Sequence, residues 1–209
     1  MQPVLETAAL DDFDLWPTGT STPYGFIVVD GGTAPADIGT ALASIADGTA
    51  PWEGDAPEPD EADDPVAAFL FGLLTSPYPY APGGFRVTDT ATGAVFGPGC
   101  CNGLEEWREW LEVLDGEGTG GFGHDPTPLA RRLGDVVRLT SDTGLKRDSP
   151  VIEVPVDELR ALVARAEQDL RDFVGLAGRW AGRHLPEHAA GVAAALARIP
   201  DPVTEDRGR

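Results

Sequence analysis

Apolar positions recur along this chain with two periods, and where each period starts and stops predicts its elements. The first thirty residues alternate loosely, and Gly25, Phe26, Ile27, Val28, Val29 and Asp30 have the β-branched content of a strand that Gly31 and Gly32 end. Thr33 stands where a helix cap would, with Pro35 in the first turn and Ile38, Leu42 and Ile45 on one face through residue 46. Asp64 takes the cap position of a second helix, 65–74, which is apolar all round and predicts burial. Residues 85–90 and 94–96 flank Ala91, Thr92 and Gly93 as a hairpin. Asn102, with Glu105 three residues on, caps a third helix over 103–114, striped by Leu104, Trp107, Leu111 and Leu114. Arg108 and Glu112 are spaced to pair on its wet side.

A glycine-rich loop over 115–128 and a short turn at 129–133 lead to an alternating strand at 135–142 and another at 151–154, a pair that extends the hairpin's sheet. From residue 155, Leu159, Leu162, Val163, Ala166, Leu170, Phe173, Val174, Ala177 and Trp180 keep the helical period for about seven turns. This is the longest element and the spine of the core, with Arg165 and Asp169, and Glu167 and Arg171, spaced for pairing on its outer side. Pro186 starts a final alanine-rich helix that runs to about residue 199. The fold class is therefore α+β: a mostly antiparallel sheet packed by two to four helices in one domain over 1–199, with a disordered tail over 200–209.

Residues 47–64 break the pattern. They are dense in carboxylates, hold no base and carry prolines at 51, 57 and 59, which predicts an acidic, flexible, irregular insertion. Three more prolines stiffen 76–82 and display Tyr78 and Tyr80 as a rim.

Charge sharpens this picture. Of the 35 acids behind a net charge of −20, fifteen lie in residues 1–99, where Arg86 is the one base. A field of one sign repels nucleic acid and anionic membrane and attracts cationic partners, so a basic protein is the expected partner class. The longest apolar run, 66–74, is far short of a bilayer span, and two adjacent cysteines cannot staple distant segments. Both features suit a soluble, cytoplasmic protein.

Candidate chemistry centres on Cys100 and Cys101, at a corner between strand and helix where a helix N-terminus would favour a thiolate. His124 could serve as base and Asp125 as orienting acid, which describes a small cysteine-dependent enzyme using Cys101 or Cys100 with His124. Against it, sequence neighbours such as His124 and Asp125 tend to point apart, and free cysteines most often serve as packing residues. Cys100, Cys101, His124, His184 and His188 are zinc-ligand types, but neighbouring cysteines seldom both reach one ion and Pro186 breaks the helix between the last two histidines. Neither a metal nor a cofactor is expected. Residues 118–123 match G-x-G-x-x-G letter for letter, but they follow a helix instead of a strand.

The segment 97–110, GPGCCNGLEEWREW, followed by Gly123, His124, Asp125 and Pro126, resembles uncharacterised proteins of actinobacteria over residues 84–199. The resemblance implies a bacterial origin, as does a basic complement of fourteen Arg and one Lys, and it carries no activity with it. The leading functional expectation is a non-enzymatic binding protein, of the immunity or inhibitor kind, presenting an acidic face to a basic partner. Its candidate contacts are Trp52, Asp55, Glu58, Asp60, Glu61, Asp63, Asp64, Tyr78 and Tyr80. The alternatives are the thiol enzyme and a soluble acidic domain with no specific partner.

Overall fold

The longest apolar stripe forms one uninterrupted helix, α4 (Val156–His184), whose Leu159, Val163, Ala166, Leu170, Phe173, Ala177 and Trp180 are buried. Burying a side chain such as Leu170 or Phe173 contributes about 1.5–3 kcal/mol, so this seam dominates the core. A computed structural model describes the chain over residues 1–51, 64–144 and 149–201. The predicted 47–64 insertion therefore lies largely outside the described residues.

Two four-stranded antiparallel sheets pack with the helices, an α+β fold. The first has the order β2-β1-β3-β4, from β1 (Gln2–Glu6), β2 (Phe26–Val28), β3 (Gly83–Thr88) and β4 (Val95–Phe96), with Val4 opposite Val28 on one side and Gly84 on the other. The second has the order β5-β6-β7-β8, from β5 (Thr119–Gly121), β6 (Leu129–Leu133), β7 (Val136–Thr140) and β8 (Val151–Pro155). Val137 and Leu139 face Val154 and Ile152 across β7 and β8 and are buried, while Arg138 and Glu153 pair on the wet face at 2.7 Å. α4 packs on β1 of one sheet and on β7 and β8 of the other, so both contribute to one buried cluster.

The strand pair near 135–154 therefore does not extend the hairpin's sheet. β4 is two residues long, and its approach to the second sheet includes a side-chain bond from Ser141 Oγ to the Val95 carbonyl, 2.6 Å. The free edge of β7 is taken instead by β6, where a short turn is expected, and β6 pairs in turn with β5 inside the expected glycine loop. Glycine-rich β5 has almost no strand propensity of its own; the ladder to β6 and packing against α3 (Glu109–Asp115) hold it in place.

α1 (Pro35–Gly48) and α2 (Pro65–Thr75) form as expected, with one difference in capping. Asp64 Oδ1 accepts the Ala67 N–H at 3.0 Å, whereas Thr33 bonds back to Asp30 and leaves the cap position to Ala34. The third predicted helix is divided into a 3-10 turn, Leu104–Glu106, and the short α3. Asn102 is not its cap, because its side chain donates to the Gly83 carbonyl at 2.7 Å. Glu105 is turned away to accept the Ala81 N–H, and Trp107 Nε1 donates to the Pro200 carbonyl at 3.0 Å. These tertiary bonds outweigh the local pattern.

α5 (Ala189–Leu196) completes the fold. Asp201 pairs with Arg108 and Arg171, so the first two residues of the expected tail are held; residues 202–209 lie outside the described set. Among the described residues, no helix is long and apolar enough to cross a membrane.

Candidate functional site

Past β4 the chain runs through Gly97, Pro98 and Gly99 and meets the segment after β5 as an isolated antiparallel bridge. Gly99 N–H donates to the Phe122 carbonyl at 2.8 Å, Cys100 N–H to the His124 carbonyl at 2.6 Å, and His124 N–H to the Cys100 carbonyl at 3.1 Å. The two backbones approach this closely because neither Gly99 nor Gly123 has a Cβ. One added at Gly99 would stand 2.2 Å from the Pro126 carbonyl oxygen, and one at Gly123, where φ is +98°, 2.5 Å from the Cys100 carbonyl oxygen.

The bridge places His124 opposite Cys100, and the conformation of Cys101 brings in the second thiol. Cys101 is a non-glycine residue at φ +62°, a left-handed conformation that concentrates at functional sites. The sulfurs of Cys100 and Cys101 are 3.5 Å apart, and with a ring nitrogen of His124 they form a group whose ligand atoms all lie within 4.8 Å of one another. Asp125, also left-handed at φ +46°, holds its carboxylate 3.5 Å from His124 Nδ1. All four side chains are exposed. Both thiols therefore depart from the packing role expected of free cysteines, and His124 and Asp125 do not point apart.

Near this corner Tyr80, Glu105 and Glu6 form a set of polar groups, of which the sequence singled out Tyr80 alone. Burial pushes the Glu105 carboxyl up to about 7, against the opposing pull of the Ala81 N–H, 3.0 Å from its Oε2. Tyr80 is half-buried and its hydroxyl donates to the Asn102 carbonyl at 3.3 Å; burial first, and then the charge of Glu105 and of the thiols, push its ionisation well above the ordinary range. Burial also raises Glu6, whose field reaches Tyr80 and Cys100. The Cys100 thiol is raised by its bond with Cys101, then by desolvation, and further by Glu6. Glu105 reads in the sequence as half of a capping box, so nothing there signals a buried carboxyl.

The remaining candidates are elsewhere. Asp64 is engaged as the α2 cap and pairs with His188 at 3.0 Å, and the Ala67 N–H, followed by His188, holds its carboxyl below the usual range. His184 stacks on Trp180 at 4.3 Å, away from the thiols. Tyr78 is exposed, whereas Tyr80 is half-buried and held by its bond to the Asn102 carbonyl instead of standing free as a rim. Trp52, Asp55, Glu58, Asp60, Glu61 and Asp63 lie outside the described residues. Residues 118–123 form β5 and its flanks, with no helix after them to receive a pyrophosphate.

In comparisons with known proteins, no family model, no curated protein and no solved structure matches this chain.

Proposed function

We propose that the chain is a non-enzymatic binding protein, of the immunity or inhibitor kind, that meets a basic partner with the acidic surface of its N-terminal half. The uncompensated charge of residues 1–99 carries this reading. Among the described residues, the one ion pair made by an acid of this half is Asp64 with His188. The arginine pairs all involve acids after residue 100: Asp201, Glu153, Asp115 and Glu167. Asp11, Asp12, Asp14 and Asp47 are exposed. Phe13, between Asp12 and Asp14, is packed 5.3 Å from Phe69 of α2, so Asp11, Asp12 and Asp14 are displayed from an anchored loop, while Asp47 is displayed from α1. A fixed field of one sign speeds association with a cationic surface, and the gain fades as salt screens it.

The test is affinity capture from native lysate at low and moderate salt, followed by reconstitution with each purified basic protein. Wild type should bind one such protein with salt-sensitive affinity, and Asp11→Asn/Asp12→Asn/Asp14→Asn/Asp47→Asn should bind it at least about tenfold more weakly. Enrichment of no basic protein, or equal binding by the quadruple variant, would remove the support.

Thiol catalysis at the Cys100 corner has less behind it. No helix begins at either cysteine, so the dipole argument for a thiolate is lost, and the bond with Cys101 foremost shifts the Cys100 thiol upward, the opposite direction from an activated nucleophile.

A further inference from the structure

We propose that Cys100, Cys101 and His124 form a binding site for one zinc-type thiophilic divalent cation, independent of the acidic-face reading. Three features of the corner converge on it. The ligand types are two sulfurs and one imidazole nitrogen, a set that suits zinc and disfavours calcium or magnesium, which take oxygen. Their spacing fits one ion: with metal–sulfur bonds of about 2.3 Å, the edge of a tetrahedron between two sulfurs is about 3.8 Å, and the sulfurs here are 3.5 Å apart with the His124 nitrogen inside the same 4.8 Å group. The backbone holds them so without the ion. The objection to adjacent cysteines is that a regular backbone turns their side chains apart. The left-handed Cys101 and the Gly99/Gly123 close approach remove that obstacle, one by turning the second thiol toward the first and the other by seating His124 opposite Cys100.

Binding is an exchange of protons for metal with no change of oxidation state. Two S–H bonds break, their protons pass to solvent, two metal–thiolate bonds form, and the neutral imidazole donates its lone pair. Three protein ligands at an exposed position leave the fourth coordination site to water or an incoming ligand, the arrangement of an open zinc site. Asp125, beside His124, Glu6, whose field reaches Cys100, and the net charge of −20 attract a cation to this corner.

The experiment uses the full chain, reduced, with both thiols counted, and titrates it with cobalt(II) chloride and then zinc chloride. Cobalt should bind at one equivalent with a thiolate-to-metal charge-transfer band and the visible spectrum of a tetrahedral ion, and one equivalent of zinc should bleach both. Cys100→Ser, Cys101→Ser and His124→Ala should each weaken binding by about tenfold or more. Zinc should also slow alkylation of both thiols in the wild-type protein, a readout that stands even if a variant fails to fold. Absence of the charge-transfer band, unprotected thiols, or binding that persists in both serine variants would overturn the site; the last result would assign the metal to the acidic surface.

Discussion

Cys100 and His124 exchange both of their backbone hydrogen bonds, at 2.6 and 3.1 Å, and this one bridge decides which chemistry is possible at the corner. The pairing depends on the glycine on either side of it. Gly123→Ala introduces a Cβ at φ +98° against the Cys100 carbonyl, and it should destabilise the fold by about 1–3 kcal/mol. Gly121→Ala, where a Cβ meets nothing within 4 Å, is the control and should change stability by less than about 0.5 kcal/mol. Urea unfolding of the two variants measures the difference, and equal stabilities would mean that the close approach is not required.

Glu105 should set a slope in stability above pH 4. Folded, it keeps its proton to about pH 7; unfolded, it loses it near 4.5, so between those values the native state binds more protons and stability falls as pH rises. Glu105→Gln keeps an oxygen for the Ala81 N–H and removes the charge. It should raise stability at pH 8 by about 1–3 kcal/mol and flatten much of the slope, with Glu6 and Glu109, also raised by burial, supplying the remainder. Denaturant melts at pH 5, 6, 7 and 8 test this, and a variant less stable than wild type at pH 8 would contradict it.

Asp201 ties the end of the described chain to the body through Arg171 and Arg108, and Arg171 foremost holds its carboxyl down at about 2. A depressed carboxyl stabilises above its unfolded value and loses that contribution as pH falls from about 3.8 to 2. Asp201→Asn should lower the melting temperature by a few degrees at neutral pH and low salt, and the loss should shrink toward 1 M salt because the cluster is exposed. A salt-independent loss would point to the hydrogen bonds alone.

Trp110 is fully buried, stacked on Phe122 at 4.3 Å and edge-on to Phe96 at 5.7 Å, and so joins α3 to β4 and to the end of β5. Trp110→Ala should cost about 3–5 kcal/mol. If the pairing of Cys100 with His124 depends on this stack, wild-type and variant thiols should alkylate at different rates under native conditions.

Much of the fold was legible along the chain because it rests on local regularities. The α4 stripe, the Asp64 cap and the 85–96 hairpin each declare themselves within a few turns or strand residues, where period and capping chemistry act without distant help. β5 and β6 did not, since glycines and exposed arginines carry no strand signal and only their neighbours in the ladder hold them extended. The break at Trp107 was hidden for a similar reason: its indole is drawn to a carbonyl 93 positions away.

The candidate site divides in the same way. The sequence by itself determined the residue types, two thiols and a histidine, and the charge imbalance of residues 1–99, where fifteen acids stand against Arg86. Only the tertiary structure decided that these three residues share a corner, that the thiols are exposed, and that Glu105 turns from a helix cap to the Ala81 N–H, where desolvation raises its carboxyl. The reason is physical: a left-handed φ at Cys101 and a backbone bridge spanning 24 residues are favourable only once both sheets are in place, and no local pattern encodes them.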